Sequence, residues 1–232
     1  MLHSVAAQSH DNWRVIVVDD MSDRHEIDAE SDIILGFWNL LNNCGVHESS
    51  KKITFIKNCE GRGKRWEVDN VLHGISMCTD DDIICRIDCD DWLVDNDALT
   101  IIDSAYQESG CEALWTSHRW GFSDRSISGD LPHGADPYRF PWKSSHLKTF
   151  RKKLINDVKD ENFRGPDGNY IKRAGDQAIY LPILHRSKKS VYLPRCVYHY
   201  NIDEKGGAVY QTDDAKFQKD EAEFLRRRGF VS

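Results

Sequence analysis

No stretch of this chain stays apolar for the length that a membrane-spanning helix needs. The N-terminus also lacks the basic-then-apolar pattern of a secretory leader, so a soluble or membrane-peripheral protein is expected. Positive charge is in short supply as well: 31 Lys and Arg stand against 38 Asp and Glu, a formal net charge of −7. That balance excludes a general nucleic-acid binder, which needs a cationic face to neutralise phosphates, but it leaves room for a local basic pocket. The seven cysteines are odd in number and scattered, with no C-x-x-C pair, which argues against a zinc ribbon or a disulfide framework. Reduced thiols in a cytoplasmic setting are the expectation, with Cys85 and Cys89 read as small core residues. Internal repeats, low-complexity tracts and linker-like segments are all missing, so residues 1–232 are expected to form a single domain.

What is present is a β-loop-α rhythm. Arg14 to Asp20 reads R-V-I-V-V-D-D, a β-branched run of the kind buried on both faces of a parallel sheet, ending in acids. Ile53 to Ile56 is a second apolar run. It is followed by N-C-E-G-R-G-K-R and then by Trp66, Val71, Leu72 and Ile75 at helical spacing. Ile83 to Ile87 is a third strand, running into Asp88-Cys89-Asp90-Asp91, and Leu99, Ile101 and Ile102 mark the helix after it. This alternation predicts a doubly wound α/β architecture with a mostly parallel, mixed central sheet flanked by helices, whose ligands sit beyond the carboxyl ends of the strands.

The second half reads as a strand at 113–117, a long loop rich in Gly and Pro to Pro141, and a helical stretch around Ser145 to Val158. A turn at G-P-D-G, a helix from Ala174, a strand pair through Val191 to Tyr200 and a basic helix from about Asp213 to Arg228 complete it.

The chemistry is expected at the strand ends. A strand running into D-x-D-D brings two or three carboxylates within reach of one hard divalent cation, which makes Asp88 and Asp90 the metal-ligand candidates. The early acids Asp19 and Asp20, with Ser22, sit beyond the first strand. Arg62, Lys64 and Arg65 form a basic cluster whose guanidiniums suit bidentate contact with a diphosphate, against the plainer reading of solvated loop charge.

At these motifs the chain resembles the inverting family 2 glycosyltransferases of the GT-A fold. Their early V-D-D-x-S-x-D and later D-x-D-D appear here as V-V-D-D-M-S-D at 17–23 and D-C-D-D at 88–91. The likeness extends through S-V-A-A-Q-S-H-D-N-W-R and through Asn58, Gly61 and Asn70, covering roughly residues 2–95. It is thinner at A-G-D-Q-A-I-Y-L-P, residues 174–182.

The resemblance implies a nucleoside-diphosphate sugar donor, a glycan or glycoconjugate acceptor, and Mn²⁺ or Mg²⁺ as cofactor. Residues 1–95 become the nucleotide-sugar half and 96–232 the acceptor half. Asp19, Asp20, Ser22, Arg62, Arg65 and Asp88 are then expected at the donor, and Asp88, Asp90 and His199 at the metal, where His199 could equally be a strand-end histidine bonded to backbone. Asp176 is expected to be the general base unless Asp91 takes that part; as the first acid of a helix Asp176 could equally be a cap. Trp142 and His146 are where an acceptor ring would stack, or are packing residues at a helix start. The basic C-terminal helix is the segment through which the protein would touch a membrane surface.

One departure stands out. Relatives open with an apolar strand ahead of the helix matched by Leu2 onward, and that strand would lie between the strand ending at Asp19 and the one ending at Asp88. A native start upstream of Met1 is the preferred expectation; the alternatives are that another segment takes that place, or that the two strands close up and the nucleotide pocket loses a wall. Two other readings compete: a catalytically inactive remnant or binding module, and a sugar-phosphate nucleotidyltransferase, for which a G-x-G-T-R-like loop is missing.

Overall fold

The computed structural model of the chain describes residues 1–20, 32, 35–37, 39, 52–58, 66–121, 123, 125–201 and 213–232. Its elements in chain order are α1 (Leu2–Ala6), β1 (Val15–Asp19), β2 (Ile53–Lys57), α2 (Trp66–Ser76), β3 (Ile83–Arg86), β4 (Trp92–Leu93), α3 (Ala98–Ser109), β5 (Ala113–Trp120), β6 (Lys148–Arg151), α4 (Gly175–Arg186), β7 (Ser190–Tyr200) and α5 (Asp213–Arg228).

The strands lie in two sheets. β1 and β2 pair in parallel, from Val15 beside Ile53 to Asp19 beside Lys57. The larger sheet has the order β3-β6-β5-β7-β4. Its β5–β7 pairing is parallel, whereas β3–β6, β5–β6 and β4–β7 are antiparallel. The sheet is thus mixed rather than mostly parallel. Two of the three antiparallel ladders come from β6, which occupies part of the stretch expected to be helical between Ser145 and Val158. Lys148, Thr149 and Phe150 are buried between two neighbouring strands, and that placement overrides the helical appearance of the sequence. A short 3₁₀ turn, Lys152–Ile155, is all the helix that remains there before Asn156.

The strand pair expected over Val191 to Tyr200 is likewise one strand. Pro194 falls where the β5–β7 register slips between Thr116 and Ser117, so the proline sits at a bulge instead of a turn, a place where its missing N–H does no harm.

Both faces of the large sheet are covered. Val68, Trp115, Phe150, Ile179 and Ile183 belong to one core, beneath α2, α4 and α5. Leu114, Ile102, Tyr106, Leu147 and Val197 belong to the other, beneath α1 and α3. Central β5 is therefore buried from Ala113 through Thr116 without alternation, as a strand covered on both sides must be. Helix α4 is buried nearly all round, which is why its sequence carries no clear apolar stripe. Two tyrosine hydroxyls reach buried partners: Tyr180 donates to the Leu114 carbonyl at 2.9 Å, and Tyr106 pairs with Thr149 Oγ1 at 3.0 Å.

Following the pairings across the sheet, β3, β5 and β7 run in one direction. Arg14, just before β1, donates to the Asp82 carboxylate at 2.8 Å and to the Met77 carbonyl at 3.0 Å, next to the start of β3. The beginnings of β1 and β3 are thereby tied together. Among the described residues β1 pairs with β2 and β3 with β6, and no ladder joins β1 to β3. Cys78, Cys85, Cys111 and Cys196 are free thiols. No described helix is long and apolar enough to cross a membrane.

Candidate active site

Beyond β3 the chain turns through Asp88-Cys89-Asp90-Asp91 before β4. The last residue of β3, Arg86, is the hub of this end of the molecule. Its Nη2 donates to Glu67 Oε1 at 2.5 Å and to Asp88 Oδ1 at 2.9 Å, while Nη1 donates to Asp176 Oδ1 at 2.5 Å. Asp176, in the first turn of α4, is held a second time by Lys148 at 2.9 Å. Lys148 is buried at the start of β6 and donates also to His146 Nδ1 at 3.2 Å. Glu67 comes from the first turn of α2.

These contacts set the protonation states. Burial would raise the Asp176 carboxyl, but Lys148 and Arg86 hold it far below the usual carboxylate range. Burial works against Asp88 too, and Arg86 is the main group keeping it ionised. Glu67 goes the other way: burial, with Asp176 and Asp88 adding to it, outweighs Arg86 and pushes it up to about 7. His146 is pushed down to about 3 by burial and by neighbouring Lys148, so its ring stays neutral. It lies between Tyr198 and Tyr200, stacked at centroid distances of 4.9 and 5.1 Å.

Asp91 is almost completely buried, at 1% exposure. Its Oδ2 accepts from the Tyr198 hydroxyl at 2.6 Å and its Oδ1 from the Asn201 N–H at 2.8 Å. Tyr198 Oη in turn accepts from the Asp88 N–H at 3.2 Å. Burial raises the Asp91 carboxyl to about 6, against the pull of these donors.

Ligand atoms of Asp88, Asp91 and His146 lie within 4.8 Å of one another. Two carboxylates and a neutral imidazole make a donor set that suits Mn²⁺ or Mg²⁺, and each carboxylate oxygen has a lone pair beyond the hydrogen bond it accepts. The residues present therefore fit a hard divalent cation, with the Lys148 contact at His146 Nδ1 as the bond that would have to yield if that nitrogen were the ligand.

The expected site residues fall into three sets. Asp88, Asp91 and Asp176 are brought together. Asp90 sits exposed on the turn between them, and His199 stacks on Trp92 at 3.8 Å. Strand alternation explains the latter: Tyr198 and Tyr200 face His146, so His199 between them faces the other side of β7. Asp19 is buried at the end of β1. Asp20 accepts from Asn58 Nδ2 at 2.8 Å and from the Trp66 N–H at 3.1 Å, and Asn58 Nδ2 also reaches Asn70 Oδ1 at 3.0 Å. These bonds join the ends of β1 and β2 to the start of α2. Ser22, Arg62 and Arg65, with Lys64, lie outside the described residues.

Sequence reasoning missed Arg86, Lys148 and Glu67. Arg86 was visible as a charge inside an otherwise apolar strand, a signal that it must find partners; nothing local marked the other two.

A cavity of about 410 Å³ opens beside this cluster, lined by Trp120, Ile127, Trp142, His146, Asp176 and Tyr200 among others. Residues 1–157 of the chain match one family model, described as "Glycosyl transferase family 2". The chain belongs to glycosyl transferase family 2. Its fold is of the GT-A type and is similar to that of S. aureus TarS, with a TM-score of 0.61 at 15% identity over 98% of this chain and 40% of that one. TarS 1-349 in complex with UDP-GlcNAc gives a TM-score of 0.56 at 15% identity, over 87% of this chain and 53% of that chain. TarS 1-349 in complex with UDP gives 0.56 at 14% identity, over 98% and 66%. The family 2 chain thus spans well under the full length of these structures. No curated protein matches it.

Proposed function

We propose that this family 2 chain is an inverting glycosyltransferase that moves a sugar from a nucleoside-diphosphate donor to a hydroxyl of a glycan or glycoconjugate. The observation that carries the reading is the meeting of Asp88, Asp91 and His146 within 4.8 Å, with Asp176 beside them on the wall of the aromatic cleft. Residues 1–95 form the donor half and 96–232 the acceptor half. The complexes of TarS with UDP-GlcNAc and UDP support a uridine nucleotide as the first donor class to try.

In this reading the acceptor oxygen attacks the anomeric carbon as the bond from that carbon to the diphosphate oxygen breaks, and the acceptor proton passes to a carboxylate. Asp176 has the access for this step: it lines the cleft, where Trp142 and Tyr200 offer rings on which a sugar can lie. Asp91 has a value nearer neutrality, but its oxygens face Tyr198 and Asn201 inside the protein. Asp176 stays ionised at every working pH and is ready to accept, though a base held so far below neutrality is weak. Asp88, Asp91 and His146 would hold a divalent cation, which when bound stabilises negative charge on the leaving diphosphate.

Calorimetric titration with UDP, GDP and dTDP, with and without Mn²⁺, tests the reading on the chain and on its Asp88→Asn variant. Metal-dependent binding of one nucleotide that disappears in the variant supports it. Absence of nucleotide binding by the folded chain would favour the inactive remnant.

A further inference from the structure

Of the three acids gathered around Arg86, Glu67 is the one to which the transfer reaction gives no task. Its surroundings make its presence costly. Three carboxylates, Glu67, Asp88 and Asp176, face two cations, Arg86 and Lys148, so one negative charge is left without a full partner. A neutral side chain of the same size would avoid that penalty, since burying an acid is favourable only when its partner is worth the lost hydration.

The backbone opposite Glu67 is fitted to it. Helix α4 begins at Gly175, and a Cβ built there would lie 2.4 Å from Glu67 Cδ and 2.6 and 2.7 Å from its two carboxylate oxygens. Any residue but glycine would therefore drive the carboxylate off the start of α4. The dipole at that helix end also favours negative charge.

Arg86 carries the consequence. An arginine has a long, flexible stem, and its planar fork is useful only when its orientation is fixed. Glu67 from α2, Asp88 after β3 and Asp176 from α4 hold the fork from three elements, with Glu67 making the shorter of the two Nη2 contacts.

We propose that Glu67 is a positioning residue for the transfer reaction, holding the Arg86 guanidinium so that it ties the donor-side acid Asp88 to the acceptor-side acid Asp176, with Gly175 keeping the space this requires. The inference rests on the transferase reading above, in which those two acids serve the two substrates. Glu67 touches no substrate itself. It acts through Arg86, in the field of Asp88, Asp176 and Lys148, and the near-neutral value of its carboxyl makes the hold weaken as acid is added.

The test uses the full 232-residue chain with UDP-GlcNAc and Mn²⁺, following UDP release with water as the acceptor. Glu67→Gln should lower kcat by about tenfold with the donor KM changed by less than about threefold, the pattern of a misplaced catalytic group. Wild-type kcat should fall as the pH drops below about 7, and that limb should be missing in Glu67→Gln, which is neutral throughout. Gly175→Ala should lose activity as well, and combining it with Glu67→Ala should cost nothing beyond Glu67→Ala alone, because the collision has gone. If Glu67→Ala does not fold, the isosteric Gln variant carries the test. A Glu67→Gln enzyme within about twofold of wild type across this pH range would overturn the proposal. So would a crystal structure of that variant with Arg86 unmoved against Asp88 and Asp176. Should the wild-type chain turn over no donor, the transferase reading fails by itself, and the position of Arg86 in the two crystal structures still decides the role of Glu67.

Discussion

Replacing Glu67 by Gln should stabilise the fold, and by an amount that depends on pH. The carboxyl rises from 4.5 to about 7 in the folded protein, with burial the largest cause. Because the folded value lies above the unfolded one, stability is full below pH 4.5, drains away as the pH climbs toward 7, and is level beyond that. At about 1.4 kcal/mol per pH unit the loss approaches roughly 3 kcal/mol at pH 8 and about 1 kcal/mol at pH 5. Glu67 keeps 30% of its side-chain surface in contact with solvent, so screening reduces the larger figure to about 2 kcal/mol. The neutral variant should escape most of this cost. Urea unfolding of both proteins at about pH 5 and pH 8 reads the difference, and titrating groups remote from the Arg86 cluster cancel in the comparison. An advantage for Glu67→Gln that is equal at the two pH values, or that reverses at the higher one, would refute the reasoning. A variant that is more stable yet less active is the expected signature of an acid kept for the reaction and not for the fold.

Two further outcomes follow from the same network. Asp91→Ala leaves the Tyr198 hydroxyl and the Asn201 N–H without their buried acceptor, and should cost about 2–3 kcal/mol of unfolding free energy by urea titration. Lys148→Met removes one of the two cations on Asp176. It should raise that carboxyl and also Glu67, which Lys148 likewise holds down, so that the acid limb of turnover set by Glu67 moves to higher pH in a pH-rate profile. Its stability cost should be about 2 kcal/mol, below the roughly 3–5 of a fully buried broken pair, because Asp176 keeps 30% of its side-chain surface in solvent.

Much of the first half was legible because its strands are continuous β-branched runs that end in acids. V-I-V-V-D and I-I-C-R-I-D-C-D-D each state where a strand stops and which carboxylates it delivers. The start of α4 was legible from G-D-Q-A-I-Y-L-P, and Asn58 and Asn70 do meet, at Asp20. The cluster around Arg86 was not. It needs β6 to insert antiparallel between β3 and β5, and that pairing is settled by which faces must be covered, not by any pattern within residues 145–158. Nothing in that stretch marked Lys148, because a buried lysine is recognisable only once its carboxylate is known. His146 was singled out for sugar stacking. The rings it meets are Tyr198 and Tyr200 of the protein itself, which hold it next to Asp88 and Asp91.

The bonds that make the site span great distances along the chain: Arg86 to Asp176 closes a loop of 90 residues and Tyr198 to Asp91 one of 107. Contacts of such separation form late, after the loop entropy has been lost to nearer pairings. A chain that has formed its nearer pairings, such as β5 with β6, can therefore still lack the site. Recovery of the nucleotide binding proposed above would then report completion of the last long-range docking during refolding, and should lag behind the return of helical and strand signals.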